Sequence, residues 1–339
     1  MATLVALAFT CAFAALNHTF NGIFLFVALI KSVDLIGDIW LAPAQSAGRT
    51  RSLGFYQFIN GLASLILFSG GIYFGMPGVY ALAMSLLGSV IAAAFALIVG
   101  SKSISSAPEI EGFDQKPPML QAFQLAITAA PLGLAGFLNS ATQAAPGYFL
   151  ERADGLESVG ILSAMVYLLL AGNTVVGAVV QFELPRSVSQ YQKHGREVLL
   201  KRTRSLTWKM CILSVISIVA ALLFGETVMR LLYGPEYGVQ SVLVLLAISW
   251  AVGAVSWMWD LALVVQRSFN VQLVAASIGL ASSALASIIL IGPFGLFGAG
   301  MATLIARIAV ALVRIIGLTF YTGYVPKHRL KPRYGLGTR

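Results

Sequence analysis

Charged residues are scarce in this chain. Only 10% of its 339 residues are Asp, Glu, Lys or Arg, and 58% are hydrophobic, whereas about 25% of the residues in soluble domains are charged. A soluble protein of this composition would have too little polar surface to cover itself. The composition therefore excludes a water-soluble enzyme, a disordered chain and a secreted disulfide scaffold, and it predicts a multi-spanning membrane protein.

Residues that bind metals or nucleotides are scarce as well. Cys11 and Cys211 lie in apolar runs, where a thiol behaves as a small hydrophobe. His18, His194 and His328 are scattered, without a Cys or His partner at ligand spacing. The chain has no Gly-rich loop that ends in Lys-Ser or Lys-Thr. We therefore expect no catalytic residue, metal or cofactor, and no nucleic-acid partner, because the basic residues form no such patch.

Ten apolar segments are candidates for membrane spans. A spanning helix needs about 20 apolar residues, because each residue adds about 1.5 Å to a path of about 30 Å. The first segment is short, and a cleaved signal peptide is the alternative for it, although no Lys or Arg precedes Lys31. The ten predicted spans are 2–16, 19–40, 54–74, 77–100, 120–142, 158–182, 207–224, 241–266, 271–291 and 295–320.

The basic residues indicate how these spans are oriented. If both termini are cytoplasmic, only Arg152 and Arg230 of the 22 Lys and Arg residues lie in outer connections. Lys31, Arg307 and Arg314 lie within spans, and the other basic residues are on the cytoplasmic side. This asymmetry follows the positive-inside rule. It predicts cytoplasmic termini and attraction to anionic membrane lipids.

Two regions of the sequence resemble each other at offsets of 216 to 220 residues. Each contains a basic loop, a Gly-Leu-Ala-Ser helix segment and a Phe-Gly-x-x-Gly turn. The matching segments are Arg51-Ser52 with Arg267-Ser268, Gly61–Ser64 with Gly279–Ser282, and Phe74–Gly78 with Phe294–Gly298. Six spans separate the copies, so both have the same orientation. We expect an all-α fold of two bundles related by an axis along the membrane normal.

The predicted bundles are unequal in size. We expect a four-span bundle over 1–100, a cytoplasmic linker over 101–119, a six-span bundle over 120–322 and a basic cytoplasmic tail over 323–339. The two spans missing from the first bundle predict an N-terminally truncated twelve-span protein or a misassigned start codon. A genuine ten-span protein is the alternative.

Three motifs resemble the polysaccharide-biosynthesis flippases, which translocate O-antigen and exopolysaccharide repeat units. These flippases belong to the multidrug/oligosaccharidyl-lipid/polysaccharide exporter superfamily. Leu231–Tyr237 leads into the apolar run 242–248, and Gly292–Ala299 opens the last span. Glu183–Ser187 is similar to the end of the family's eighth span, where Pro185 is expected to close a helix.

The resemblance implies a substrate, partners and a location. It implies translocation of an undecaprenyl-pyrophosphate-linked oligosaccharide across the bacterial inner membrane, with a polysaccharide polymerase and a chain-length regulator as partners. One departure concerns ion coupling: the acidic residue often found late in the family's seventh span is absent. Asn139 and Gln143 occupy that stretch here.

Ionisable residues within a span are costly and usually face a bundle interior. Lys31, Asp34 and Asp38 share one helix face. Lys31 is a candidate counter-charge for a pyrophosphate or an acidic sugar, and the two carboxylates are candidates for ion coupling. A self-neutralising pair of Lys31 and Asp34 is the alternative.

Arg307 and Arg314 share a face of the last span, and guanidinium groups suit a phosphate-bearing substrate. Snorkelling to the inner headgroups is the alternative for Arg314. Asp260 is a third candidate for ion coupling, and Glu183 is a candidate gate. The remaining candidates carry side-chain amides that would hydrogen-bond sugars or join helices; they are Asn139, Gln143 and Asn173.

The leading hypothesis is a flippase in which a cleft between two bundles holds the head group while the lipid tail stays in the bilayer. A drug or cation exporter of the same superfamily is an alternative. A membrane glycosyltransferase or polymerase is another, as is a non-transporting scaffold or remnant.

Overall fold

The structure is a computed structural model that describes residues 22–46, 50–105 and 119–320. The predicted span 2–16, residues 106–118 of the predicted linker and the basic tail 323–339 lie outside these ranges. The described elements are α-helices apart from one 3-10 turn. They are α1 (Gly22–Ser46), α2 (Thr50–Tyr73), α3 (Gly78–Ser105), α4 (Met119–His194), α5 (Arg196–Tyr233), the 3-10 turn Pro235–Tyr237, α6 (Gln240–Val265) and α7 (Phe269–Phe320).

Two of these helices are long enough to cross a membrane twice. α4 has 76 residues and α7 has 52, whereas one crossing needs about 20. Each is broken by a glycine with positive φ: Gly155 (φ 83°) in α4 and Gly295 (φ 49°) in α7. Glycine adopts such angles without a Cβ clash. Each helix therefore consists of two arms, 119–154 and 156–194 in α4, and 269–294 and 296–320 in α7.

The described helices confirm an all-α polytopic membrane protein. Within the described ranges, six helices are long and apolar enough to cross a membrane. Two of the six are α4 and α7, each of which consists of two helical arms. With the glycine breaks counted, each predicted span from 19–40 onwards coincides with a helix or a helix arm.

The chain divides into two compact units, residues 1–114 and 115–339. In the first, a Cβ atom on Gly88 of α3 would lie 2.7 Å from the backbone nitrogen of Ser64 on α2. The two backbones are thus in direct contact, as small residues permit in membrane bundles. In the second unit α4 packs chiefly against α7, and α6 packs against α5 and α7.

The two Phe-Gly-x-x-Gly motifs form similar breaks. In the first copy, Gly75 has φ 75° and its N–H donates to Ile72 O (2.9 Å), while Met76 N–H donates to Gly71 O (3.0 Å). This is the hydrogen-bond pattern of a Schellman helix end. In the second copy Gly295 also has positive φ. The same motif position ends a helix in both copies, as the internal repeat predicts.

The prediction that Pro185 closes a helix is wrong. The second arm of α4 continues through Pro185 to His194 and ends at Gly195, which has φ 78°. Leu184 and Val188, on either side of the proline, pack against a buried cluster formed with α5 and α6. Proline removes one backbone donor and its ring crowds the preceding turn, and the packing of its neighbours offsets this cost and keeps the helix continuous.

Candidate functional site

The first unit contains a polar group centred on Asp34 of α1. Lys31 Nζ lies 3.2 Å from Asp34 Oδ2, and the Lys31 side chain is 76% exposed. From α2, Asn60 Nδ2 donates to Asp34 Oδ1 (3.0 Å) and the Tyr56 hydroxyl donates to the backbone oxygen of Asp34 (3.4 Å). Asp34 is therefore held by its own helix and by the next one.

Asp38 differs from Asp34 in its surroundings. Its side chain is exposed, and among the described residues it has no hydrogen bond or ion pair. Tyr56 is nearly fully buried, because Gly37 lets its ring approach α1: a Cβ atom on Gly37 would lie 2.7 Å from Tyr56 Cζ. Of the two carboxylates in this group, Asp38 is thus the exposed one without a partner among the described residues.

Arg314 lies in the second unit and is neutralised there. Its side chain is buried, its Nε lies 3.2 Å from Asp260 Oδ1 on α6, and its Nη1 donates to Ser256 Oγ (3.0 Å). The structure thus brings Arg314 and Asp260 together in the protein interior. A buried ion pair of this kind leaves little charge for a ligand.

Arg307 lies one heptad before Arg314 on the same arm and is partly buried. Among the described residues it has no hydrogen-bond or ion-pair partner. It lies twelve residues beyond the break at Gly295, about 18 Å along the helix and therefore near the middle of a span. An arginine there costs about 2.5–3.5 kcal/mol on insertion scales, so Arg307 is a candidate functional residue.

Three of the four polar candidates of α4 have a side-chain hydrogen bond within the second unit; Asn139 contributes only its backbone oxygen. Asn173 Oδ1 accepts a hydrogen bond from Trp250 Nε1 of α6 (2.9 Å). Gln143 Nε2 donates to the backbone oxygen of Asn139 (3.4 Å) on the same helix. Glu183 Oε2 accepts from Arg202 Nε (2.7 Å) and Nη2 (2.5 Å) of α5, which joins the end of α4 to the start of α5.

Several of these partners were not predicted from the sequence. Ser256 has a local signal, since it lies four residues before Asp260 on α6 and so on the same face. Tyr56 and Asn60 lie on a different helix from Asp34, and helical spacing gives no information about such contacts. Among the described residues, no group of three or more His, Cys, Asp or Glu could hold a metal ion.

The fold is that of a class of membrane transporters. The chain resembles the crystal structure of a mutant of the Vibrio cholerae MATE transporter VcmN, with a TM-score of 0.72 and 12% identity over 94% of this chain and 74% of that one. It also resembles an outward-facing multidrug resistance MATE family transporter of the MOP superfamily, with a TM-score of 0.69 and 14% identity over 94% and 76% of the chains. At these identities the likeness shows the fold.

A sequence relative adds a second comparison. The chain is 24% identical over 290 residues to the capsular polysaccharide biosynthesis protein CapF of Staphylococcus aureus, covering 85% of this chain and 72% of that protein. No family model matches the chain. The comparisons together show a multi-pass fold shared with MATE transporters and a distant sequence likeness to a capsular polysaccharide biosynthesis protein.

Proposed function

We propose that this protein is a flippase that moves a lipid-linked oligosaccharide repeat unit, carried on undecaprenyl pyrophosphate, across the bacterial inner membrane. The product would serve capsule, exopolysaccharide or O-antigen synthesis. The observation that carries the proposal is Arg307, a cation without a partner in the described residues and near the middle of a span. The sequence likeness to a capsular polysaccharide biosynthesis protein supports the same substrate class.

The physical problem is to move a pyrophosphate and a hydrated sugar through about 30 Å of hydrocarbon. A guanidinium group suits the pyrophosphate, because it stays charged and binds two oxygens at once. The polyprenyl tail remains in the bilayer, and alternating access of the two bundles exposes the head group first to one side and then to the other. Arg307 is the proposed contact to the pyrophosphate, and Lys31 is a second candidate.

The other candidates take supporting roles in this proposal. Asp34, Asp38 and Asp260 are the groups proposed for ion coupling. Glu183 is proposed as a gate, because its bond to Arg202 connects α4 to α5. Asn139, Gln143 and Asn173 remain candidates for sugar contacts. A polysaccharide polymerase and a chain-length regulator are the proposed partners, and anionic lipids would contact the basic cytoplasmic side.

Deletion of the gene tests this proposal. Lipid-linked oligosaccharides are extracted from the mutant, and their leaflet is mapped with an impermeant glycosidase. We expect intermediates to accumulate on the cytoplasmic side, with polymer restored by the wild-type chain but not by Arg307→Gln. Arg230→Gln is the matched control, since Arg230 is exposed at a predicted outer connection. Intermediates that reach the outer leaflet without the chain would contradict translocation and favour the polymerase alternative.

A drug or cation exporter is a second candidate, favoured by the fold likeness to multidrug MATE transporters and by the open carboxylate of Asp38. Acidic groups at a site favour cationic substrates through charge attraction. The test is expression of the wild type and of Asp38→Asn in a dye-sensitive strain. Resistance that requires Asp38 would favour the exporter, and unchanged sensitivity would favour the flippase.

A further inference from the structure

α6 and the second arm of α7 lie side by side in one register. Asp260 of α6 pairs with Arg314 of α7, and Gly253 of α6 lies against Arg307 of α7. The two members of each pair are 54 residues apart along the chain. From the Gly253 pair to the Asp260 pair, each helix advances by one heptad. The two helices therefore run in the same direction, and equivalent positions on α6 face the two arginines.

The two heptads differ in what α6 presents. Opposite Arg314, α6 presents the carboxylate of Asp260, 3.2 Å from the guanidinium. Opposite Arg307, α6 presents Gly253, which has no side chain. A Cβ atom on Gly253 would lie 3.5 Å from Arg307 Cδ, 3.6 Å from Nε and 3.8 Å from Cζ. These are ordinary contact distances, so an alanine fits at position 253 and its Cβ atom would touch the Arg307 side chain.

We propose that Gly253 and Arg307 form an anion subsite, in which the substrate's pyrophosphate occupies the place that Asp260 occupies one heptad further along. Gly253 is then a specificity-determining position, because an acidic residue there would neutralise Arg307 internally. This inference rests on the proposed function, since it assumes an anionic substrate. It adds two points to that function: Gly253 is the position that leaves Arg307 without an internal partner, and a pyrophosphate is the group that binds Arg307.

The test compares three substitutions at position 253 in the full-length chain. Gly253→Asp places a carboxylate beside Arg307, Gly253→Asn is nearly the same size without the charge, and Gly253→Ala adds the Cβ alone. Binding of geranylgeranyl pyrophosphate to the detergent-purified protein is measured, with geranylgeraniol as the neutral control. A glucuronic-acid oligosaccharide provides a second arm, which distinguishes an acidic sugar from a lipid pyrophosphate as the anion.

We expect Gly253→Asp to weaken pyrophosphate binding roughly tenfold to a hundredfold, the range for losing charge-assisted hydrogen bonds. Gly253→Asn and Gly253→Ala should weaken binding less than Gly253→Asp does, because they add a side chain beside Arg307 without neutralising its charge. Equal binding by Gly253→Asp and the wild type would overturn the inference, and so would equal losses in Gly253→Asp and Gly253→Asn. Binding of the glucuronide but not of the pyrophosphate would overturn the assignment to the lipid.

A second variant covers the case in which Gly253→Asp fails to fold. Arg307→Gln removes the same charge without adding one, and it should lose pyrophosphate binding to a similar degree. Binding that survives in Arg307→Gln would overturn the inference. These assays use the purified protein and a defined probe, so they are independent of leaflet mapping in cells. Failure of the proposed function would appear in the cells, and failure of the subsite would appear in the binding assay.

Discussion

At the scale of single residues, the two arginines of the last span have different surroundings. Helical spacing places Arg307 and Arg314 on one face, and the structure gives an ion-pair partner within the described residues only to Arg314. The sequence predicts which residues are charged and which face they share. It does not predict their pairing, because the register between α6 and α7 depends on packing between segments 54 residues apart.

This difference predicts opposite effects of two similar substitutions. Arg314→Gln should destabilise the protein by about 3–5 kcal/mol, because it leaves Asp260 without its partner in the interior. Arg307→Gln should leave stability unchanged or raise it, because an unpaired charge is removed from the membrane interior. Thermal unfolding in detergent measures both variants.

The double variant Arg314→Gln/Asp260→Asn is the control for this prediction. It removes both charges of the pair and should recover most of the stability lost in Arg314→Gln. A double variant as unstable as the single one would show that the loss comes from packing rather than from an unpaired carboxylate.

At the scale of the helices, the spans are predictable because the bilayer requires long apolar segments whose backbone groups bond internally. The described helices coincide with the predicted spans for this reason. Prediction fails at Pro185, where packing of neighbouring residues keeps a helix intact through a residue that usually ends it. The glycine breaks at Gly155 and Gly295 are partly predictable, since the second lies in the repeated Phe-Gly-x-x-Gly motif.

The glycine breaks should resist substitution to different degrees. Gly155→Ala should cost about 1–3 kcal/mol from backbone strain alone, because a Cβ atom there meets nothing within 4 Å. Gly295→Ala should cost slightly more, because its Cβ would also lie 2.5 Å from Asp154 Oδ2, an exposed side-chain end that must turn away. Thermal unfolding measures both variants.

Gly133→Ala is the matched control for these breaks. Gly133 lies inside α4 without a positive φ, and a Cβ atom on it meets nothing within 4 Å. Alanine should therefore be neutral there or stabilise the helix by up to about 1 kcal/mol. If Gly155→Ala behaves like Gly133→Ala, strain at the break does not contribute to stability.

At the scale of the whole molecule, the sequence contains two kinds of information, one that predicts the fold and one that predicts the orientation in the membrane. The apolar segments and the internal repeat predict an all-α fold of two related bundles, and the fold likeness to MATE transporters agrees with it. The asymmetry of basic residues predicts orientation. The substrate is less predictable, because charged side chains identify a class of ligand rather than a sugar.

The predicted orientation has a direct test in intact cells. In a chain with its own cysteines replaced by alanine, Glu236→Cys should react with an impermeant maleimide, because the 3-10 turn is predicted to be periplasmic. Lys193→Cys should react only after lysis, because the end of α4 is predicted to be cytoplasmic. The reverse pattern would show that the chain is inserted the other way round.

Reconstitution tests the central claim most directly. The purified chain is placed in liposomes with an undecaprenyl-pyrophosphate-linked oligosaccharide, and the fraction open to an impermeant glycosidase is followed over time. We expect the wild type and the control variant Arg230→Gln to expose the inner-leaflet pool, and we expect Arg307→Gln to expose it about tenfold more slowly. Exposure no faster than in protein-free liposomes, or equal rates for Arg307→Gln and the wild type, would contradict this account.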